Sequence, residues 1–561
     1  MSNRYAFSLI LNAHHPFVRE CPSRMRREQF PYKVEISDNP DISEAIHING
    51  EYYCDDIDLS PGSAEESWFF ESLSETYLPL LGVFDRLEGE HIPFRLGVAL
   101  SPLFGTMLGD SLLMKKYLAL LDSQIEFGKA EMKRLENKPD LYPLAKHYFD
   151  EAVDRRAVFT TRYDGNLLKV LDFYRKKGKI EILFVPAAHS FLPFFTSFPE
   201  TIRAQIETAS AFYRNSMGIN PQGFWLPELG WSPDLDSLLS SCDFSYTVTE
   251  SHGLVFASPP PSRGTFFPVK TPRGLFVLAR DFNAAADIAR MKTESPYRDN
   301  NSDIGFELAA QEHPPFLAQN GARYFTGYKY RKADGSGGVY DPAAARLTAE
   351  KQSKKFLENI RNRAVKASEY MNETPVCLCA FNADDFGRFW HEGPHFLESL
   401  FRQANERSEI QCMTPSEYLY QQPVSLFEVS LPEYSSWKEN GYAEVMADSS
   451  NDWIYRHINR AVERMTELAE RFYDERGLKE RALNQAAREI LLAQASDWPA
   501  ILRQREYSEY ARRKVEGSLR NFTTIYESLG SGHISTEWLT VLERRHNIFP
   551  DIDFRMFIRN R

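Results

Sequence analysis

The sequence predicts an α/β fold of parallel strands joined by crossover helices, followed by an all-helical C-terminal domain. Three observations carry this. Short apolar runs alternate with helical patterns, several of those runs end in polar residues rather than in turn glycines, and beyond about residue 425 the runs give way to long charged-apolar helical patterns. The runs are AFSLIL (6–11), FRLGVAL (94–100), IEILFV (180–185), GFWLP (223–227), YTVT (246–249), LFVLA (275–279) and VCLCAF (376–381). Continuous apolar runs of this length, spaced by helical segments, are what a parallel sheet covered on both faces requires. After the first run come Asn12, Ala13, His14 and His15; after the third, Ala188 and His189; after the fourth, Glu228; after the last, Asn382 and Asp384. Polar groups at strand C-terminal ends are where barrel enzymes place their chemistry.

Between about 283 and 345 the pattern loosens into SPYRDNNSDIGFEL and RKADGSGGVYD, which reads as an insertion carrying a mobile lid loop. The expected division is therefore 1–282 with 346–424 as the strand-bearing catalytic domain, 283–345 as the insertion and 425–561 as the helical domain. IYRHINRAVERMTELAERFYDERG and ERALNQAAREILLAQASD are the helical patterns of that last part, and their charged stripes read as solvated faces.

A chain of 561 residues with 43 % hydrophobic and 13 % aromatic content buries a large core and belongs to the globular class. Lys and Arg number 66 against 78 Asp and Glu, a net charge of −12, so no positive field is offered to nucleic acid. Six scattered cysteines without a CxxC pair point to a reducing compartment, and the absence of a signal-like or bilayer-length apolar stretch leads us to expect a cytoplasmic protein without a membrane partner.

No GxxxxGK[ST] and no GxSxG is present, and GSGG (335–338) neither follows a strand nor opens a helix, so no nucleotide cofactor is expected. His14, His15 and His189 lack an HExxH or a dense acidic cluster, which favours hydrogen bonding to a polar ligand over metal binding. Glu228 is the strongest candidate for chemistry. It follows Trp225-Leu226-Pro227, so its carboxylate stands at a strand tip beside an aromatic wall, an arrangement suited to sugars. Glycoside transfer with retention needs a second acid about 5–5.5 Å away. AFNADDFGRFWHEGP (380–394) offers Asp384 and Asp385 at another strand tip, with Asn382 before them and Trp390 after.

Along nearly its whole length the chain resembles the glucan branching enzymes of glycoside hydrolase family 57. LILNAHHPFVR is similar to that family's opening strand, WFFESLSETYLPLL to its first helix, GNLLKVLDFYRKKGKIEILFVPAAHSFLPFF to its histidine-bearing motif and GFWLPELGW to its nucleophile motif. PYRDNNSDIGFEL, FTGYKY, FGRFWHEGP, TPSEYL, SSWKENGY and NDWIYRH follow in order, and LNQAAREILLAQASDW (483–498) resembles the helical-domain signature. The resemblance implies an incomplete (β/α)7 barrel with a helical insertion and a helical C-terminal domain, acting on α-1,4-glucan such as amylose or glycogen by retaining transfer that creates α-1,6 branches.

By the same resemblance Glu228 is the nucleophile, and His14, His189, Trp225, Arg280, Tyr297, Trp390 and Trp437 meet substrate, with Tyr297 on a loop that covers the site and limits water. Two positions depart from the family pattern. Asn12 stands where the family has the first histidine of His-x-His, and the acid/base aspartate aligns with Asn382. An amide does not exchange a proton at neutral pH, so Asp384, two residues on, is the substitute donor to consider. A glucan-binding protein with impaired catalysis, and an α-glucan hydrolase, remain the alternatives.

Overall fold

A computed structural model describes residues 4–18, 64–293, 296–308, 325–504 and 507–559. Cys21, Cys54 and residues 294–295 and 309–324 of the expected insertion lie outside these. The architecture is mixed α/β, mostly helical, with a helical C-terminal part.

Nine strands are present among the described residues: β1 (Tyr5–Ala13), β2 (Leu96–Leu100), β3 (Ile180–Leu183), β4 (Gly223–Phe224), β5 (Tyr246–Thr249), β6 (Val269–Lys270), β7 (Phe276–Ala279), β8 (Val376–Asn382) and β9 (Ile410–Cys412). One sheet runs β3-β2-β1-β8, with β9 pairing the first residues of β1; the other runs β4-β5-β7-β6. All pairings are parallel except that of the short β6. Single parallel bridges join the two sheets at both ends, Phe184 to Phe224 and Arg280 to Leu378. All nine residues of β1 are buried, as expected of a strand hydrogen-bonded on both edges and covered on both faces.

Helices fill the connections. Pro199–Met217 lies between β3 and β4, and Pro342–Ala367 between β7 and β8, while Ala64–Ser72 and Leu78–Gly89 precede β2. The last two are joined by a π-turn, Leu73–Tyr77, whose residues are all buried. Ser111–Arg134 and Tyr142–Ala157 pack on each other between β2 and β3.

The C-terminal part is built on Leu478–Ala493, with Trp453–Arg471 and Ser508–Ser531 against it. From Ala482 to Ala493 all residues of this helix but Asn484 are buried, so it sits at the centre of its bundle. Its charged members are paired: the Glu489 carboxylate accepts from Gln485 Nε2 at 2.6 Å and meets His546 Nδ1 at 2.7 Å. Such pairing is the condition under which a carboxylate tolerates full burial. No helix among the described residues is long and apolar enough to cross a membrane.

Candidate active site

Parallel strands present their C-terminal ends on one side, and polar side chains gather there. His14 follows β1, Ser101 follows β2, His189 lies in the loop after β3, Glu228 in the turn after β4, Glu250 directly follows β5, Arg280 follows β7 and Asn382 ends β8. The apolar runs set this arrangement, because each ends in a polar residue at the strand's C-terminal end or in the loop or turn that follows it.

Glu228 is 8 % exposed and sits in the turn Pro227–Leu229 with a left-handed backbone, φ 58° and ψ 19°. A non-glycine residue in that region is held by its surroundings. Here the segment 435–438 does the holding. Ser435 bridges Trp231, and the Glu228 carbonyl accepts from Trp437 N at 3.0 Å and from Ser436 Oγ at 2.8 Å. The carboxylate Oε2 accepts from Trp437 Nε1 at 2.6 Å and pairs with Lys438 Nζ at 3.2 Å. The Glu228 charge is the main reason the Lys438 ammonium is pushed up against the pull of burial, with Asp385 and Asp497 adding to it. Trp225 is fully buried, meets Trp437 edge to face at 5.4 Å between ring centroids, and has an indole N–H without a partner.

Arg280 completes this side. Its Nη1 donates to Glu250 Oε2 at 2.7 Å, its Nε to the Ala380 carbonyl at 2.9 Å, and its guanidinium lies over the Trp437 ring at 5.1 Å. Glu250, Arg280, Trp437 and Glu228 thus form one continuous chain of contacts.

Across β1 and β8 the site is made of amides and histidines. His14 and His189 stack with ring centroids 3.7 Å apart and planes within 4°. His14 reaches Ser101 Oγ through Nδ1 at 2.8 Å and the Asp497 carboxylate through Nε2 at 2.9 Å. His189, also left-handed at φ 52°, meets Ser496 Oγ through Nδ1 at 2.8 Å and the Asn12 side-chain amide through Nε2 at 3.4 Å. Burial first, then the neighbouring His14, pushes His189 well below the usual imidazole range, so the ring is neutral. For Asp497, burial works upward, but the neighbouring His14 and its hydrogen bond outweigh it and hold the carboxyl below its ordinary value. Lys438 also bears on His189, so both halves of the site share one field.

Asn12 and Asn382 are register partners on β1 and β8, and Asn12 Nδ2 donates to Asn382 Oδ1 at 3.0 Å. Asn12 Oδ1 is buried without a partner. Asp384, in the turn Ala383–Phe386, faces the Leu73–Tyr77 region: Ser72 Oγ and Thr76 Oγ1 each donate to it at 2.8 Å. Burial raises its carboxyl. Asp385 holds Lys292 Nζ at 2.8 Å. Gly387 closes this turn because a Cβ there would stand 2.4 Å from Thr76 Oγ1 and 2.5 Å from the Glu75 carbonyl, a contact only glycine permits.

Tyr297 and Trp390 come together elsewhere. Their rings meet edge to face at 5.4 Å, both are buried, and the Tyr297 hydroxyl donates to Gln352 Oε1 on the helix Pro342–Ala367. The next residue, Arg298, is fully buried and pairs with Glu75 Oε2 at 2.7 Å, which His391 Nδ1 also reaches at 2.8 Å. Among the described residues no three His, Cys, Asp or Glu side chains gather as metal ligands.

Ser101, Glu250, Lys438, Ser496 and Asp497 are site residues that the sequence reading passed over. Ser101 and Glu250 obey its own rule, a polar residue directly after an apolar run. Lys438 stands next to Trp437, and Ser496 and Asp497 close the helical-domain signature; their signal is the motif they sit in, without any sign of which strand they meet.

Strand ends lined in this way define an enzyme-like α/β scaffold completed by its helical domain, and the chain belongs to glycosyl hydrolase family 57, whose sequence model matches residues 47–430. A model of the C-terminal domain of 1,4-alpha-glucan branching enzyme matches residues 457–557. The chain is 25 % identical over 514 residues to a 1,4-alpha-glucan branching enzyme of Thermococcus kodakarensis, covering 87 % of this chain and 74 % of that protein. The crystal structure of an alpha-amylase from Thermotoga maritima superposes with a TM-score of 0.85 at 31 % identity, covering all of both chains. A branching enzyme from Pyrococcus horikoshii, at 21 % identity, shares the fold with a TM-score of 0.83 over 100 % of this chain and 97 % of its own.

Proposed function

We propose that the protein is a retaining transferase of α-1,4-glucan, amylose or glycogen, that forms α-1,6 branches with Glu228 as nucleophile. The observation that carries this is the Glu228 carboxylate itself, fixed at a strand tip by the Trp437 indole and the Lys438 ammonium. A nucleophile held in one geometry beside aromatic rings is what attack on a sugar C1 needs. His14, His189 and Trp437 would meet the sugars, with the buried Trp225 supporting Trp437 from beneath and Arg280 behind it, and Tyr297 and Trp390 would shape the loop at the edge of the cleft. The family's acid/base position falls at Asn382.

On this reading the strands β1, β2, β3, β4, β5, β7 and β8, taken in the order of their pairings and bridges, make an incomplete (β/α)7 barrel. Residues 1–282 and 346–424 are its domain, 283–345 the insertion with the lid, and 425–561 the helical domain. Four described cysteines, Cys242, Cys377, Cys379 and Cys412, are free thiols, which supports a cytoplasmic site of action.

The test is incubation with amylose, counting new α-1,6 linkages after debranching alongside new reducing ends. Branching yields linkages with few ends. Ends without linkages would make the protein a hydrolase, as the Thermotoga maritima relative is named, and retained amylose binding without either product would make it a glucan-binding protein.

A further inference from the structure

We propose that the Glu228 pocket also accepts glycosyl donors whose leaving group departs as an anion, and acceptors that arrive as anions, because the groups around β1 and β8 supply no proton to the reacting oxygen. The inference rests on Glu228 being the nucleophile.

Breaking a glucan bond requires the departing sugar oxygen to take up a proton, which a carboxylic acid normally gives and an amide does not. On the proposed reading that place falls at Asn382, which ends β8 and whose Oδ1 accepts from Asn12. The neutral His189 turns Nε2 to the same Asn12 amide nitrogen, so that ring nitrogen is an acceptor, and its other nitrogen is spent on Ser496. His14 directs one nitrogen to Ser101 and the other to Asp497. Asp384 is held by Ser72 and Thr76, and Asp385 by Lys292. Each titratable group at these strand ends is thus engaged by a protein partner, while Glu228 keeps its place.

A glycosyl fluoride needs no proton. Glu228 forms a bond to C1 as the C1–F bond breaks, and fluoride leaves with the electron pair. Azide then forms a C1–N bond as the ester C1–O bond breaks, and Glu228 recovers its pair as a carboxylate. Neither step moves a proton, and two inversions give a product of the donor's own anomeric configuration. With a glucan donor the proton must come from water, so the first step is slow.

The experiment uses the full chain with α-maltotriosyl fluoride, with and without azide, beside maltohexaose. We expect kcat/KM for the fluoride to exceed that for maltohexaose by about 10²-fold or more, the factor that general acid catalysis ordinarily supplies. α-Maltotriosyl azide should accumulate, and Glu228→Gln should lose both activities. Asn382→Asp should raise turnover of maltohexaose by about 10²-fold, the lower end of that range, and suppress the azide product. Equal rates on both donors without an azide product, or loss of glucan turnover in Asp384→Asn, would show that a proton donor operates and overturn the inference while leaving Glu228 as nucleophile. Equal fluoride consumption by the parent and Glu228→Gln would instead remove the nucleophile assignment. The azide product of the parent decides the matter even where a variant does not fold.

Discussion

The indole Nε1 of Trp437 donates to Oε2 of Glu228 at 2.6 Å, while the main chain of the same tryptophan donates to the Glu228 carbonyl at 3.0 Å. One residue therefore fixes both the strained turn and the carboxylate it carries. A hydrogen bond to a charged group contributes about 1.5–3 kcal/mol. Trp437→Phe keeps the ring and the backbone contact but removes the N–H. We expect kcat to fall about tenfold or more with KM little changed, because an orientation is lost rather than a sugar contact. Steady-state kinetics check this, and a change confined to KM would assign Trp437 to sugar stacking alone.

Behind Trp437, Arg280 is held by the buried Glu250 and by the Ala380 carbonyl. Its guanidinium lies over the Trp437 ring at 5.1 Å, so we expect Arg280 to act through Trp437 as a positioning residue. Glu250→Gln keeps the shape but leaves the half-buried guanidinium without its buried partner, and loss of one member of a buried ion pair commonly costs several kcal/mol at most. The expected outcome is a lowered unfolding midpoint together with a kcat loss similar to that of Trp437→Phe. Adding Trp437→Phe to Glu250→Gln should then cost little further kcat, since both act on one chain of contacts. Fully additive losses in this double-mutant cycle would uncouple the two.

His15, next to His14, points the other way. It is buried, meets Phe69 edge to face at 5.5 Å, and its Nδ1–H donates to the Pro16 carbonyl at 3.0 Å. Burial pushes its pKa down from 6.5 to about 3. Below pH 6.5 the unfolded chain binds a proton that the folded chain refuses, so this group makes stability fall as pH drops towards 3, by about 1.4 kcal/mol per unit. Chemical unfolding of the parent and His15→Phe at pH 7 and pH 5 checks the sign. Between these values the parent should lose about 2 kcal/mol more than the variant, 1.5 units below the unfolded value at that slope.

The apolar runs located seven of the eight parallel strands among the described residues because a doubly covered strand must be apolar throughout. YTVT coincides with β5, and VCLCAF lies within β8. GFWLP kept only Gly223 and Phe224 as strand, since Pro227 and the left-handed Glu228 turn the chain away from the ladder. The short β6 and β9, two and three residues long, carry too little pattern to be read. At the site, residues at the ends of the strands were legible one by one. The contact of His14 with Asp497 spans 483 positions, and no local pattern encodes such a meeting. For the same reason Tyr297 was legible as a motif residue but its burial was not, because Gln352 and Trp390 reach it from elements 55 and 93 residues away, the latter being 390 less 297.

That burial makes a prediction about the loop. Tyr297 packs on Trp390 and donates to Gln352, and its neighbour Arg298 is locked to Glu75. A side chain so engaged anchors the loop from beneath. Tyr297→Phe keeps the ring and withdraws the hydroxyl, taking one donor from the buried Gln352 carbonyl, which costs about 1–3 kcal/mol. We expect a lower unfolding midpoint and an unchanged ratio of new α-1,6 linkages to new reducing ends on amylose, since the ring never leaves its place and water gains no path. Tyr297→Ala opens a cavity beside Trp390 and should cost about 3–5 kcal/mol, as removal of a buried aromatic does. Only this second change should release the loop and shift products towards hydrolysis. A shift in that ratio already in Tyr297→Phe, at an unaltered midpoint, would place the hydroxyl at the substrate instead.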